Sequence, residues 1–528
     1  MQCKENESFK IADILVIGGG INGASIARDA AGRGLKVVLC EKDDLAQHTS
    51  SASTKLIHGG LRYLEYYDFP LVRHALQERE ILLNSAPHII WPLRFILPHH
   101  RALRPRWLIR LGLFLYDNLG GRKALPRSWG VNLARHVSGE ALKPEYTRGF
   151  EYSDCWVQDA RLVVLNARDA QHHGAEVLTR TMCTALERKQ DHWIATTEDR
   201  RNGQSSQLQV RAVVNASGPW VKKTLDLDIT TNTENDVRLV KGSHIVVPRL
   251  FDHEYPYIFQ HADGRVMFAI PYEKDFTLLG TTDIEIDGDP DKVSIDEAEI
   301  SYICQAINEY FEEPVQPEDV VWSYSGVRPL FDDESKNASK VTRDYVLQLD
   351  DNGPPILSVF GGKITTCRKL SEQVVDMLKK PMAFDTPGWT ANTSLPGGNI
   401  KNADFSAFLV KCKHQYPWLD DDVLRDYARN YGTDIEVLIA GCSCMADLGE
   451  HFGGKLYECE VRYLVTYEWA ELSEDILWRR TKKGLRIPSE GDTGLRLWLQ
   501  KQSASVKLET GVPVLIPAGY NETFHTDS

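Results

Sequence analysis

Residues 13–41 read DILVIGGGINGASIARDAAGRGLKVVLCE. An apolar strand, Ile14 to Ile17, runs straight into three glycines. The spacing then predicts a helix from about Asn22 to Gly32 and a second strand, Lys36 to Cys40, that ends on Glu41. Gly18-x-Gly20-x-x-Gly23 thus sits where strand becomes helix, with an acid at the distance a dinucleotide site requires. Gly18 permits the tight turn, Gly20 lets a pyrophosphate approach the backbone, and Gly23 lets the helix pack close to the strand. The helix N-terminus faces the phosphates, while Glu41 accepts hydrogen bonds from a ribose diol and repels a 2′-phosphate. The motif alone leaves NAD and FAD both open.

Of 528 residues, 42% are hydrophobic and 26% charged, an ordinary globular composition expected to form two or three domains of ~150 residues. A net charge of −13 argues against nucleic acid as a partner, because a phosphate backbone needs a basic footprint. Ten cysteines without a CxxC pair indicate neither a zinc site nor a disulfide framework; no metal is expected, and a reducing cytosol is. The opening MQCKENESFK lacks the apolar core of a signal peptide, and no run approaches the ~18 consecutive apolar residues of a spanning helix.

Further along, a hydroxyl-rich stretch, Gln47 to Thr54, precedes KLIHGGLRYLE, and helical spacing covers Pro70 to Asn84. Asp159 to Gly174 reads as a helix, followed by a strand, Glu176 to Thr179. A hairpin around His192 to Val210 leads into the strand Ala212 to Val214 and the turn Asn215 to Trp220. Short strands dominate Val237 to Asp283, and Glu297 to Phe311 is helical. ILSVFGGKITTCRKL (Ile356–Leu370) runs strand, diglycine turn, helix, which returns the chain to the nucleotide domain and aims a second helix N-terminus at a polar cofactor atom. Beyond the Pro/Gly-rich stretch Thr386–Gly398 the remainder reads as helices. The expected division is a discontinuous nucleotide-binding domain over 10–388, with a β-rich substrate part interleaved at about 236–340, and a helical domain over 389–528.

A set of separated stretches occurs in one order: GGGINGASIARDAAGRGL, SSASTKLIHGGLRYLE, GFEYSDCWVQDARL, NASGPWV, KGSHIVVP, GTTD, YSGVRPL, TRDY and FGGKITTCRKL. With LWRRTKKGL (Leu477–Leu485), they resemble the FAD-dependent glycerol-3-phosphate dehydrogenase family, its bacterial aerobic members most closely. The resemblance covers nearly the whole chain. It implies an α/β flavoenzyme of the D-amino-acid-oxidase-like type, with a Rossmann-like FAD domain, a strand-rich substrate domain and a C-terminal helical domain. It also implies oxidation of sn-glycerol 3-phosphate to dihydroxyacetone phosphate, with electrons passed to ubiquinone or a related quinone. The bacterial members it points to are homodimers held peripherally on the cytoplasmic face of the inner membrane.

Carried onto this chain, the resemblance puts Gly18, Gly20, Gly23 and Glu41 on the ADP half of FAD. Ser50, Ser51, Ser53 and Lys55 fall along the pyrophosphate and flavin, and Gly218 with the Gly361-Gly362-Lys363 turn near the isoalloxazine. For substrate it points to Arg62, Tyr63, Arg328 and Arg343, with Lys363 over the flavin. Cys367 stands where an aromatic residue is expected.

The same residues carry a physical reading. Glycerol 3-phosphate is a small dianion, and guanidinium forks match phosphate oxygens bidentately. Arg62, Arg328 and Arg343 come from three distant segments, as a pocket requires, although an arginine in an apolar stretch such as Arg328 can equally be paired internally. Oxidising the C2 alcohol needs a hydride acceptor, which a flavin supplies, and a proton acceptor within hydrogen-bond reach. His58, His244 and Lys363 are the candidates. Lys363 can instead be a fixed charge that stabilises reduced flavin, and either histidine a core residue, so the base stays unassigned. The rival functions are an oxidase that uses O2 and a non-catalytic flavin-binding protein kept for sensing or assembly.

One segment stands apart. Arg94, Arg101, Arg104, Arg106, Arg110, Arg122, Lys123 and Arg127 face a single acid, Asp117, and are interleaved with Trp107, Phe114 and Leu115. In a chain of net charge −13 this reads as a peripheral membrane anchor, with apolar side chains in lipid and arginines on anionic headgroups. A solvated basic face is the alternative.

Overall fold

The computed structural model describes residues 10–509 apart from 102, 122–124, 229–236, 262–264 and 332–344. The opening stretch forms strand β1 (Lys10–Ile17), helix α1 (Ile21–Gly32) and strand β2 (Val37–Cys40), with β2 parallel to β1. On the other side of β1 lies the parallel strand Gln204–Asn215, then Ile356–Phe360. Ile17, Asn215 and Ser358 stand level, so three strands end on one edge of the sheet. Each is followed by a turn, and the carboxyl edge of a parallel sheet is where such folds place ligands.

Helix α1 packs against the helices Asp159–His172 and Cys367–Met382. On the opposite face, Leu15, Ile17 and Val213 meet Leu186 and Trp193 of the hairpin Thr181–Arg188/Trp193–Asp199.

The β-rich part is a ten-stranded sheet in which Val237–Pro248 pairs with Phe276–Gly280 and Trp322–Phe331. Alternation separates its faces. Ile245 and Val247 pack with Met267 and Leu279 and with Ile303 and Ile307 of the helix Glu297–Asn308. Gly242 and His244 turn the other way, beside Arg328 and Tyr324.

This sheet also recruits Ile90–Pro98, Trp129–Asn132 and Arg148–Val157, which the sequence pattern does not announce. Phe150–Val157 is buried on both faces, so no period of two is visible. Its polar members hold arginines inside the fold: Glu151 lies 2.6 Å from Arg94 and Asp154 2.8 Å from Arg79.

The basic stretch is therefore not one segment. Arg94 belongs to a strand, and a separate helix, Arg106–Leu119, follows. That helix buries Leu113 and Tyr116 and turns Trp107 (69% exposed), Leu111 (47%) and Phe114 (57%) outward. Leu115, expected to dip with them, is half-buried. Arg104 pairs with Glu65, and Arg110 donates to Ser128. Among the described residues no helix is long and apolar enough to cross a membrane.

The chain divides into two compact units, Met1–Val437 and Leu438–Ser528. The first extends past residue 388 to include the helices Phe405–Gln415 and Asp421–Tyr431. The second holds the helices Glu458–Tyr467 and Ser489–Glu509 and a short ladder between His451–Gly453 and Leu456–Tyr457.

Candidate active site

A cavity of about 680 Å³ lies along the carboxyl edge of the parallel strands, within the usual size of a cofactor pocket. Gly18, Gly20, Glu41, Ser50, Gly218, Gly361 and Gly362 all line it. Gly18 has φ +110°, and a Cβ there would lie 2.6 Å from the Ala216 carbonyl oxygen. A Cβ on Gly23 would collide with the Gly18 carbonyl, so α1 can approach β1 only through glycine.

Glu41 is buried, its carboxylate accepting from the Gly19 N–H at 2.7 Å and the Asp43 N–H at 2.9 Å. Burial pushes its carboxyl above the ordinary range, and those two amides oppose the shift. Trp220 lines the same region, with His48 4.7 Å and the Lys42 ammonium 4.5 Å from its ring. Glu41, Asp43 and His48 cluster closely enough to be considered as metal ligands, but Asp43 is engaged by Lys42 and His48, and Glu41 by the backbone.

The hydroxyl-rich turn divides into two parts. Ser50 Oγ accepts from the Ile21 N–H at 2.9 Å, at the start of α1. Ser51, Ser53 and Lys55 do not line the cavity. Lys55 is fully buried, with Nζ 2.9 Å from Asp159 and 3.0 Å from the Ser51 carbonyl. Ser53 Oγ donates to the same Asp159 at 2.8 Å. These residues anchor the turn to the start of the helix Asp159–His172. From that anchored turn, Thr49 Oγ1 donates to the Val327 carbonyl at 2.6 Å and Thr54 Oγ1 lies 3.0 Å from His244 Nε2, joining the cavity to the second sheet.

At the other end, Asn22 Nδ2 donates to the Gly361 carbonyl at 3.2 Å, drawing the two glycine turns together. Asn22 Oδ1 and Trp220 Nε1 are buried with no hydrogen-bond partner among the described residues and belong to cavity-lining residues. Neither is marked out by residue type in the sequence, although they lie inside the stretches GGGINGA and NASGPWV.

Beyond Gly362, Lys363 places its ammonium 4.2 Å from the centre of the Tyr63 ring. Arg62 is half-buried on the same turn, Leu61–Tyr66, and neither it nor Lys363 forms an ion pair among the described residues. The His58 N–H donates to Thr365 Oγ1 at 3.3 Å, tying this turn to the second glycine turn.

Arg328 is paired instead, with Asp283, and donates to Thr281 Oγ1 at 3.1 Å. Thr281 and Asp283 come from GTTD, which carried no assigned role. His244 is buried, stacks on Tyr324 at 5.0 Å, and leaves Nδ1 without a hydrogen-bond partner among the described residues. Burial, with Arg328 and Lys55 nearby, holds its pKa well below the ordinary 6.5, so its imidazole is neutral at physiological pH. Arg343 lies outside the described residues. Cys367 is buried, and burial pushes its thiol up to about 11.

Residues 13–368 match the family described as FAD dependent oxidoreductase, and residues 389–494 match the C-terminal domain of alpha-glycerophosphate oxidase. The chain is 53% identical to D-erythritol 1-phosphate dehydrogenase of Brucella abortus, over 90% of this chain and 95% of that protein. It is 50% identical to aerobic glycerol-3-phosphate dehydrogenase of Escherichia coli, over 92% of this chain and 97% of that one. Among solved structures it is similar to the glycerol-3-phosphate dehydrogenase of Bacillus halodurans complexed with FAD, at a TM-score of 0.74 and 27% identity, covering 95% of this chain and 90% of the other. The chain belongs to the FAD-dependent oxidoreductases, and within them to the glycerol-3-phosphate dehydrogenase family.

The residues present suit FAD. A glycine cradle that a Cβ would fill opens onto the cavity, a buried carboxylate stands at one end, and two polar atoms with no partner among the described residues belong to its walls.

Proposed function

We propose that the protein oxidises glycerol 3-phosphate to dihydroxyacetone phosphate and passes the electrons to a membrane quinone. The observation that carries this is a pair of cations with no ion pair among the described residues: Lys363, over the Tyr63 ring just past the cavity-lining Gly361 and Gly362, and Arg62, next to Tyr63 on its turn. Bound FAD supplies the hydride acceptor. Arg62 and Lys363 hold the phosphate dianion, and Asp283 fixes the Arg328 guanidinium at the edge of the site. His244 offers its unpartnered Nδ1 as the acceptor for the hydroxyl proton, the atom that the geometry supports best among His58, His244 and Lys363.

His244→Gln keeps a polar side chain without the basic nitrogen and should slow anaerobic flavin reduction about 100-fold. A rate within about twofold of the parent would remove His244 from the chemistry.

A second reading takes a four-carbon polyol phosphate as the substrate, favoured by the 53% identity to D-erythritol 1-phosphate dehydrogenase. The ratio of kcat/KM for D-erythritol 1-phosphate and glycerol 3-phosphate separates the two. Peroxide yield against quinone reduction separates a dehydrogenase from an oxidase, and flavin bleaching by substrate rules out a non-catalytic role.

We propose further that the protein attaches peripherally to a membrane, its outward-facing Trp107, Leu111 and Phe114 in lipid and Arg101, Arg104 and Arg106 near the headgroups. Contact with the cytoplasmic face of the inner membrane and dimerisation, which the family resemblance implies, belong to the same proposal.

A further inference from the structure

The helix Arg106–Leu119 buries two side chains, and one of them, Tyr116, reaches the substrate end of the site. Its hydroxyl accepts a hydrogen bond from the Gly59 N–H at 2.7 Å and donates to Asp154 at 2.7 Å. Arg79 NH1 donates to the same carboxylate at 2.8 Å. Arg79 comes from the helix Phe69–Ser85 and Asp154 from the strand Arg148–Val157, so three elements are linked in one hydrogen-bond chain that ends on the Gly59 amide. A carboxylate only accepts, so the Tyr116 O–H points to Asp154 and an oxygen lone pair is left for Gly59.

Gly59 sits at the root of the substrate turn. His58 before it is tied to Thr365, and Gly60 after it, at φ +73°, begins the turn that carries Arg62 and Tyr63. A Cβ on Gly59 would lie 2.4 Å from Leu76 Cδ2 and 2.8 Å from the Tyr116 oxygen, so only glycine fits between the leucine and the hydroxyl. Two consecutive glycines give this root little stiffness of its own, and its position must be imposed from outside.

We propose that Tyr116 is a positioning residue: its hydrogen bond to Gly59 sets where Arg62 and Tyr63 stand against Lys363, and thereby the affinity for the substrate phosphate. The proposal rests on reading Arg62 as a phosphate ligand. Tyr116 itself does not touch substrate.

The test is anaerobic reduction of the FAD-loaded enzyme against glycerol 3-phosphate concentration. Tyr116→Phe keeps the ring and removes only the oxygen. It should raise the half-saturating concentration about tenfold, the equivalent of one well-made hydrogen bond, while the limiting rate changes by less than about threefold and flavin absorbance is unchanged. Leu113→Ala, on the same helix, removes packing and leaves the oxygen; it should lower the melting temperature and keep half-saturation within about twofold of the parent. Arg62→Gln should raise half-saturation by more than about tenfold. If Arg62→Gln does so and Tyr116→Phe stays within about twofold, the positioning role is overturned and the reading of Arg62 stands. If Tyr116→Phe loses flavin, or shifts no more than Leu113→Ala, its role is structural and the proposal also fails. An unchanged Arg62→Gln overturns the reading and the proposal together.

Discussion

A Cβ on Gly23 would run into the Gly18 carbonyl, and one on Gly18 would crowd the Ala216 oxygen at 2.6 Å. Gly23→Ala should push α1 off β1 at a cost of about 1–3 kcal/mol and leave a protein that purifies largely without flavin, read from visible absorbance per chain. Full flavin content would contradict the cradle. A pH effect belongs to His244. Its folded pKa lies well below 6.5, so the unfolded chain takes up the proton first as pH falls. Stability is therefore undiminished above about pH 6.5 and falls below it, by about 1.4 kcal/mol per pH unit for each such group, until the folded histidine titrates. His88, also fully buried and lowered mainly by burial, adds a second such term. Thermal unfolding between about pH 5 and 6.5 should show a shallower slope for His244→Gln than for the parent; an identical slope would mean that His244 is not held neutral. At this scale the glycines and Glu41 were legible, because turn geometry demands those residue types at those spacings. The partners of Lys55 and Arg328 were not: Asp159 lies 104 residues from Lys55, and Asp283 45 residues from Arg328, so only the fold brings each pair together.

Among the elements, the turn around Lys55 and the helix Asp159–His172 are held by one buried ion pair. Lys55→Met strands the Asp159 carboxylate and should destabilise the fold by about 3–5 kcal/mol in chemical denaturation. A loss below about 1 kcal/mol would show that the pair is not what anchors the turn. The helix Arg106–Leu119 makes a different prediction. Leu111→Ser with Phe114→Ser should abolish sedimentation with anionic vesicles while flavin content stays constant; unchanged sedimentation would remove this face from the membrane proposal. The basic and apolar composition of this stretch was legible in the sequence, but the helix within it and its limits were not. Arg94 looked like part of one basic run, yet it lies in a strand and donates to Glu151. The strand Arg148–Val157 is not legible in the sequence because Glu151, Ser153 and Asp154 are buried among apolar residues, which erases the alternation that marks a strand.

For the whole molecule, the two large sheets meet through the 49–55 turn, which touches α1 through Ser50, the second sheet through Thr49 and Thr54, and the helix Asp159–His172 through Lys55. That arrangement gives one continuous path from the dinucleotide cradle to the face carrying His244 and Arg328. It also explains why motifs scattered along the chain carry one function. The decisive measurement takes the FAD-loaded protein anaerobically through glycerol 3-phosphate, D-erythritol 1-phosphate and then a soluble quinone analogue while visible absorbance is followed. Bleaching of the flavin by a polyol phosphate, and recovery of its colour with quinone, is the expected result. A flavin that stays oxidised in the presence of both polyol phosphates would contradict the proposed chemistry.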